Sequence, residues 1–327
     1  MQLLRSLVLA WTVVVLAGGC ASPDESGDQA TVTDALGRTV SFERPVRRVV
    51  SLAPNLTEIA FAAGGGGKLV AVTTADDYPP ATDTIDRVSA LPVDFETITA
   101  KQPDLILATD QVNPPGDTET FSSLDLPVYF FSFSSLEDVF RSIRRTGTLL
   151  GTESTARDTV RALRRRAKRL RARTSPLPAA ERPRVLVLIG DQTLYGFGQD
   201  SYIHTLVEMA GGRSITDSLD AQAPTLTDEY VLTQKPDVIV GAWGPNYDPA
   251  RLLELHPTWD VVPAVQNNRI YSLPADLLLR PGPRLVEGAW RMAAQLHPSR
   301  ITDSKGDGTP RRRPDSLSSP PAAPDTP

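Results

Sequence analysis

Aromatic and polar residues follow short apolar segments at several points of the sequence, where they have the chemistry of ligand contacts. The candidates are Pro54, Asn55, Tyr78, Thr109, Tyr195, Phe197, Trp243, Asp276 and Arg280. Flat aromatic faces combined with a few amide, hydroxyl and charged groups suit a large, partly apolar ligand with a polar fringe. Each aromatic residue taken singly fits a protein core equally well, and Arg280 fits an exposed loop. Only the set as a whole predicts a binding site.

The sequence lacks the residue patterns of common enzymes. The glycine run 64–67 precedes Lys68, as in a phosphate-binding loop, but it follows a helical pattern instead of opening one. Leu69 stands where such loops have Ser or Thr, and a turn at the end of a helix explains the run better. The chain has no Gly-x-Ser-x-Gly elbow, no dinucleotide fingerprint and no candidate catalytic cysteine. We therefore predict a binding protein with neither enzymatic activity nor a cofactor.

Histidines, cysteine and net charge argue against metal and nucleic-acid partners. The only histidines are His204, His256 and His297, and no metal-ligand spacing connects them. Since Cys20 is the single cysteine, neither an intramolecular disulfide nor a cysteine-based metal cluster can form. The net charge of −5 gives no electrostatic attraction to nucleic acid. We predict no metal site and no nucleic-acid partner.

The start of the chain indicates export. Arg5 precedes an apolar segment at 7–16, which is too short to span a bilayer and is typical of a signal peptide. Small residues then lead to Cys20, a pattern that resembles the bacterial lipobox, in which the cysteine is acylated and becomes the new N-terminus. We predict a lipoprotein signal peptide at 1–19 and a location in the periplasm or at the cell surface, with lipidated Cys20 as the membrane anchor. A plain secretory signal is the alternative.

Composition separates a folded body from two polar ends. Residues 20–30 are small and polar, which predicts a flexible tether. Residues 298–327 are rich in Pro, Ser, Asp and Arg, so we expect a disordered tail. The body alternates short β-branched segments with helical patterns, which predicts an α/β fold with parallel sheets covered on both faces. Asn55 is the expected N-cap of a helix that runs to Ala63.

An internal repeat indicates two lobes. The segment 96–108 resembles 229–241, because each begins with a glutamate, passes through a Pro-Asp turn and continues as an apolar strand. The spacing between the glutamate and the aspartate is the same in both copies. We predict an N-terminal lobe at 31–151 and a C-terminal lobe at 175–297. Two such turns arising independently in an α/β protein are the alternative.

A single long helix is predicted between the lobes, at residues 152–174. It lacks Pro and Gly, and Val160, Leu163, Ala167 and Leu170 form one apolar stripe at helical spacing. Its basic residues most simply form a solvated face, because the apolar stripe on the other side still requires a packing partner. Contact of these basic residues with nucleic acid or anionic lipid is the alternative. They are Arg164, Arg165, Arg166, Lys168, Arg169, Arg171 and Arg173.

The ordered set of segments resembles cobalamin- and ferric-siderophore-type solute-binding proteins of ABC transporters. The resemblance spans about 47–297 and rests on segments 51–58, 77–80, 96–108, 196–202, 210–212, 229–241, 273–276 and 283–284. It implies two Rossmann-like lobes that are joined by one long linker helix and open only slightly. The helix predicted independently at 152–174 agrees with this architecture.

The resemblance also implies a function and partners. A monomer would capture a corrinoid between its lobes and deliver it to an ABC permease dimer with its ATPase subunits. A ferric siderophore or haem is the alternative ligand. Glu96 and Glu229 match the surface glutamates with which such proteins meet permease arginines, although an acidic residue suits the first turn of any helix. A carrier of free metal ions and a surface lipoprotein without a permease are the remaining alternatives.

The candidate cleft departs in part from the cobalamin-binding pattern. Tyr78 and Asp276 match it. Other aromatic positions of that pattern are occupied here by Ala75, a residue near Leu91, Thr109 and Leu277. Arg280 would suit an anionic chelate. A corrinoid is the first choice of ligand, and a ferric siderophore or haem is the second.

Overall fold

The computed structural model describes residues 28–221, 223–244 and 246–301. The predicted signal peptide at 1–19, the predicted lipidation site Cys20 and residues 302–327 of the predicted tail lie outside these described residues.

The regular elements alternate along the chain. The strands are β1 (Asp28–Thr33), β2 (Thr39–Arg44), β3 (Val49–Ser51), β4 (Leu69–Thr73), β5 (Asp86–Val88), β6 (Leu105–Thr109), β7 (Val128–Phe131), β8 (Arg184–Leu188), β9 (Leu194–Tyr195), β10 (Arg213–Ser214), β11 (Thr225–Leu226), β12 (Val238–Gly241) and β13 (Ile270–Ser272). The helices are α1 (Pro54–Ala62), α2 (Phe95–Ala100), α3 (Thr118–Ser123), α4 (Leu136–Leu150), α5 (Glu153–Thr174), α6 (Tyr202–Met209), α7 (Asp228–Gln234), α8 (Pro249–Leu255), α9 (Pro263–Gln266) and α10 (Leu285–Leu296).

Two parallel sheets form the lobes. The strand order is β5-β4-β3-β6-β7 in the N-terminal lobe and β10-β8-β12-β13 in the C-terminal lobe, and all neighbouring strands in both sheets are parallel. Helices cover both faces of each sheet, which is why the central strands are continuous apolar segments rather than alternating ones. The predicted α/β fold with two parallel-sheet lobes is confirmed.

One hydrophobic core runs through both lobes. Inward-facing residues of the two sheets, such as Leu107 and Val240, belong to the same buried cluster as residues of α1, α4, α5, α6 and α10. The outer face of the first sheet is covered by α2 and α3, and that of the second by α7, α8 and α9. The two lobes therefore pack against a shared layer of helices.

Helix α5 joins the lobes and occupies almost the whole range predicted for the linker. It spans 22 residues, or about 33 Å at the usual rise. Val160, Ala167 and Leu170 of the predicted stripe are buried. At its end the Thr174 hydroxyl donates to the Met209 carbonyl at 3.0 Å, which ties the helix to the C-terminal lobe.

The two copies of the internal repeat make equivalent hydrogen bonds. The Asp104 carboxylate accepts from the amides of Arg47 and Arg48 at 2.6 and 2.8 Å. The Asp237 carboxylate accepts from the Arg184 amide at 2.8 Å. In each copy the residue before the proline has a positive φ, 47° in the first and 44° in the second. Both helices thus turn in the same way into a buried strand.

The folded body extends beyond both of its predicted ends. Residues 28–30, which were predicted as tether, belong to β1 and pair antiparallel with β2, whose Phe42 is buried in the core. Pairing satisfies backbone groups that a tether would leave to water. At the other end Ile301 is buried, and its amide donates to the His297 carbonyl at 2.9 Å. The prediction of a tail from 298 onward was wrong for these first residues.

Helix α1 begins before Asn55, the residue predicted as its N-cap. Ala53 occupies the capping position without a side-chain hydrogen bond, and Pro54 lies in the first turn. Proline suits that position because an amide there would have no partner within the helix. The Asn55 side chain is consequently available for a contact outside the helix.

Candidate functional site

The loop 276–284 of the C-terminal lobe contacts helix α1 of the N-terminal lobe. It follows β13, while the facing residues 75–78 follow β4, so both surfaces come from the carboxyl ends of parallel strands. Ligands of open α/β sheets bind beyond such ends. Asn55 is buried here, and its side-chain amide donates to the Pro281 carbonyl at 3.4 Å. These contacts mark the cleft between the lobes.

A buried ion pair joins the lobes in the cleft. Arg284 Nε and Nη2 lie 2.9 and 2.6 Å from the two carboxylate oxygens of Glu58. The Glu58 side chain is 2% exposed and that of Arg284 is 17% exposed. Burial raises the pKa of Glu58, and the hydrogen bonds from Arg284 oppose that rise. The bidentate geometry makes this a strong, directional contact between the two lobes.

Arg280 lies between carboxylates of both lobes. Its Nη1 is 2.5 Å from Asp77 of the N-terminal lobe, and its Nε is 3.0 Å from Asp276 of its own lobe. The hydrogen bond from Arg280 holds the pKa of Asp77 below its usual range. The positive charge of Arg280 is therefore already compensated in this conformation.

Tyr78 supplies the aromatic surface of this cluster. The Arg284 guanidinium carbon lies 4.3 Å from the centroid of its ring, a cation–π distance, and 43% of the residue is still exposed. The structure thus places Tyr78 near Asn55, Asp276 and Arg280 of the predicted set, in contacts that cross the cleft. Together they place an aromatic face beside carboxylates where the lobes meet.

The remaining predicted ligand residues lie outside this cluster. Pro54 is half-buried in the first turn of α1, and Tyr195 on β9 is 43% exposed. Thr109 is fully buried, and Phe197 is 8% exposed within the shared core. Thr109 and Phe197 therefore present little surface to a ligand in this conformation.

Trp243 is held by its own lobe at the carboxyl end of β12. Its Nε1 donates to the Gly190 carbonyl at 2.9 Å, and its ring lies 4.1 Å from that of Tyr247. Burial and the nearby Asp191 carboxylate raise the pKa of Tyr247 to about 12. Tyr247 thus stays a neutral phenol at physiological pH and extends the aromatic surface that Trp243 begins.

Sequence reasoning missed Glu58 and Tyr247. Glu58 is the one charged residue within the segment 54–62, so its position in an otherwise uncharged helix was a signal that it needs a partner. Tyr247 stands four residues after Trp243 in a polar segment, and no periodicity distinguishes it. The partner of Glu58 lies 226 residues later in the chain, which sequence spacing does not reveal.

The two predicted docking glutamates occupy matching positions. Glu96 is the second residue of α2 and Glu229 is the second residue of α7, and both are exposed. The N-caps Asp94 and Thr227 each accept a hydrogen bond from a first-turn amide, which fixes both turns. Within the described residues neither glutamate has an ion-pair partner.

Other features of the described residues lie away from the cleft. A cavity of about 720 Å³ on the C-terminal lobe is lined by Arg171, Arg184 and Arg213 among others, and it includes none of the predicted ligand residues. Across the described part of the chain, no group of three or more His, Cys, Asp and Glu residues is arranged to hold a metal ion. None of the helices described here combines the length and the apolar character that crossing a bilayer requires.

Comparison with known proteins identifies the family. The periplasmic binding protein family matches residues 49–277, which is more than half of the chain. The chain belongs to the periplasmic binding protein family. Membership confirms the prediction of a solute-binding protein rather than an enzyme.

Individual relatives match over most of their length. The uncharacterized ABC transporter substrate-binding lipoprotein YvrC of Bacillus subtilis (strain 168) is 26% identical over 306 residues, which cover 88% of this chain and 96% of YvrC. The periplasmic vitamin B12 binding protein BtuF of Vibrio cholerae has a similar crystal structure (TM-score 0.66, 27% identity, 77% of this chain and 97% of BtuF). So does a periplasmic heme binding protein from Pseudomonas aeruginosa (TM-score 0.67, 27% identity, 78% and 94%). These matches confirm the resemblance to ABC-transporter solute-binding proteins.

Proposed function

We propose that this protein is a monomeric, lipid-anchored component of an ABC importer that captures a corrinoid between its lobes and delivers it to a permease dimer with its ATPase subunits. The observation that carries the proposal is the cluster at the cleft, where Tyr78 and Asp276 come from opposite lobes. The similarity to BtuF supports the ligand, and the similarity to the lipoprotein YvrC supports anchoring through Cys20 in the periplasm or at the cell surface.

The charges in the cleft favour a corrinoid over an anionic iron chelate. Three carboxylates (Glu58, Asp77 and Asp276) face Arg280 and Arg284, and both arginines are already paired. An anionic ligand would have to compete with these carboxylates for the guanidinium groups. A corrinoid is bordered by amide groups, whose N–H groups donate to carboxylates. The cluster thus holds one more carboxylate than guanidinium groups, and the partly exposed Asp77 and Asp276 are the carboxylates that can accept from such amides.

A ferric siderophore or haem is the second candidate ligand. Similarity to the heme binding protein of Pseudomonas aeruginosa supports it. It would require the Arg280–Asp77 contact to open, because only then is a guanidinium released for an anionic group. Ligand titration distinguishes the two candidates.

The experiment titrates the unlipidated chain, starting after Cys20, with cyanocobalamin, haem and a ferric siderophore. Tryptophan fluorescence reports binding, because Trp243 lies at the carboxyl end of β12. We expect cyanocobalamin to bind with a Kd in the micromolar range or below, about −8 kcal/mol or stronger. A response to the iron compounds without one to cyanocobalamin would replace the corrinoid by the second candidate.

Variants locate the ligand in the cleft. Tyr78→Ala and Asp276→Ala are each expected to weaken binding about tenfold or more, which is about 1.4 kcal/mol. Asp260→Ala, on an exposed 3₁₀ turn of the C-terminal lobe, is the control and should bind as the parent does. Parent-like affinity in both cleft variants would show that the ligand binds elsewhere.

Glu96 and Glu229 are the residues we propose for docking to the permease. A carboxylate can accept two parallel hydrogen bonds from one guanidinium, which orients the partner as well as attracting it. Support comes from their matched positions on α2 and α7, their exposure and the fixed first turns on which they stand. One glutamate on each lobe suits a permease with two copies of the same subunit.

A further inference from the structure

Helices α4 and α5 form a continuous basic groove on the surface of the protein. Two depressions, of about 310 and 400 Å³, lie along these helices and share Arg144 and Arg157. We define the basic groove by six exposed cations: Arg144, Arg145, Arg157, Arg161, Arg165 and Lys168. The concentration of positive charge is unusual for a chain whose net charge is −5.

Most of these cations are not neutralised by neighbours. Arg161 pairs with Asp158 at 3.0 Å. Within the described residues, Arg144, Arg157, Arg165 and Lys168 have no ion-pair partner, and Glu153 is the one carboxylate that lines the groove. The groove thus carries a net positive charge that ion pairs within the protein do not neutralise.

The groove is not an apolar surface that lacks its packing partner. The apolar side of α5 is already occupied, since Val160, Ala167 and Leu170 are buried against the shared layer of helices. What faces outward is a row of guanidinium groups, which bind phosphate oxygens in bidentate geometry. The chemistry of the groove therefore fits a surface that carries many phosphates.

The end of strand β1 lies beside this groove. The Tyr129 hydroxyl donates to the Thr33 carbonyl at the end of β1, at 3.2 Å, and the Arg145 guanidinium interacts with the same tyrosine. The six residues of β1 lead back from there over about 20 Å to Asp28. Residues 21–27 then separate Asp28 from Cys20, which allows at most about 29 Å more.

We propose that the basic groove binds the headgroups of anionic phospholipids in the membrane to which the protein is anchored. The inference rests on the proposed anchoring at Cys20, which keeps the groove within reach of that membrane. The remainder of the chain is acidic and is repelled by an anionic surface, so the groove selects one orientation of the body. Glu96 and Glu229 stand on α2 and α7, which cover the outer faces of the sheets, and so are not part of the lipid contact.

The test measures binding of the unlipidated chain, residues 21–327, to sedimentable vesicles. We expect binding to phosphatidylglycerol vesicles and little to phosphatidylcholine vesicles at low salt, because cations near an anionic surface each contribute attraction that salt screens. The variant Arg144→Gln/Arg157→Gln/Arg165→Gln should lower the partition coefficient on phosphatidylglycerol about 100-fold.

A matched control removes the same number of charges elsewhere. Arg47→Gln/Arg213→Gln/Lys235→Gln changes three exposed cations outside the groove and should retain most of the vesicle binding. The proposal is overturned if the groove variant binds like the parent, if both triple variants lose binding equally, or if the parent does not distinguish the two lipids. Retention of a short oligonucleotide by the parent without vesicle binding would assign the groove to nucleic acid instead.

Cyanocobalamin titration of the same proteins separates this inference from the proposed function. The groove lies outside the cleft, so the groove variant should bind ligand as the parent does. Loss of vesicle binding with unchanged ligand affinity supports the groove alone. If the parent binds no corrinoid but does bind anionic vesicles through these arginines, the lipid inference stands while the proposed ligand fails.

Discussion

Glu58 and Arg284 depend on each other across the cleft. Each is mostly removed from water, and two nitrogens of Arg284 contact the two carboxylate oxygens of Glu58. Taking an ion out of water costs several kcal/mol, which a well-formed partner offsets. Neither residue therefore suits its position without the other, and the pair links the two lobe surfaces.

The substitution Arg284→Met should destabilise the protein by about 3 kcal/mol, because it leaves the Glu58 carboxylate buried and unpaired. The double variant Glu58→Leu/Arg284→Met should recover most of that loss, since no buried charge remains. Urea unfolding measures both free energies. If the loss of stability in the double variant equals the sum of the losses in Arg284→Met and in Glu58→Leu alone, the residues are not coupled.

The contact between Asp77 and Arg280 should make stability depend on acid pH. Because Arg280 lowers the pKa of Asp77 below the ordinary 3.8, the contact contributes stability that is complete above that value and is lost as the pH falls through the lowered pKa. Asp77 is exposed, so the contribution is about 0.5 kcal/mol. Asp77→Asn should therefore be less stable than the parent at pH 5 to 7 and equal to it near pH 2, in urea unfolding. A constant difference over this range would contradict the assignment.

At the residue scale, several candidate ligand residues that the sequence indicated lie together in the structure, and their role in binding stays a prediction. Tyr78 and Asp276 were predicted from residue type and from resemblance, and both lie in the contact cluster. Phe197 was indistinguishable from a core residue in the sequence, and the fold buries it. Arg280 was predicted for a ligand, but its pairing with Asp77 depends on how the lobes meet, which no local pattern encodes.

Helices α2 and α7 present the two proposed docking residues. Glu96→Ala/Glu229→Ala should leave ligand affinity unchanged, because neither residue belongs to the cleft cluster. Stimulation of the transporter ATPase should fall to the level seen without the binding protein. Glu119→Ala/Glu254→Ala, with one exposed acidic residue changed on each lobe, is the matched control. Full stimulation by the first double variant would remove the docking assignment.

Helices α4 and α5 meet closely where the chain turns into the linker. A Cβ atom on Gly147 would lie 2.4 Å from that of Ala156, so the contact has no room for a methyl group. Gly147→Ala should destabilise the protein by about 2 kcal/mol in thermal or urea unfolding, although alanine is the better helix former. Gly67→Ala, where no other atom lies within 4 Å of the added carbon, should be nearly neutral. A stabilised Gly147→Ala variant would show that the helices move apart freely.

At the element scale, periodic and buried segments were predictable and polar paired ones were not. The stripe of Val160, Ala167 and Leu170 defined α5 almost to the residue, because burial of one face imposes a helical period. Strand β1 was missed, because Asp28 and Gln29 carry no apolar signal and their pairing with β2 becomes apparent only in the fold. The internal repeat predicted matching helix–turn–strand units, because the roles of its proline and aspartate in the turn are local.

At the scale of the whole molecule, the sequence indicated two lobes and a linker but not their shared interior. The division into lobes followed from the repeat and from the helix between its copies. That residues such as Leu107 and Val240 belong to one core depends on how both sheets face the same helices. A one-dimensional pattern shows that a face is buried without showing what buries it.

The continuous core predicts a single unfolding event. Because both sheets bury their inner faces in one cluster, exposing one lobe strips apolar cover from the other. Scanning calorimetry of the unlipidated chain should therefore give one peak whose calorimetric and van't Hoff enthalpies agree. Two resolved peaks would contradict this.

The same continuity has a consequence for the gene. Neither lobe is an independent folding unit, so neither can be swapped by recombination or produced alone as a fragment. A reading frame that ends after α5 would yield a product with a large exposed apolar surface. Such a product would aggregate or be degraded, and it would not act as a carrier.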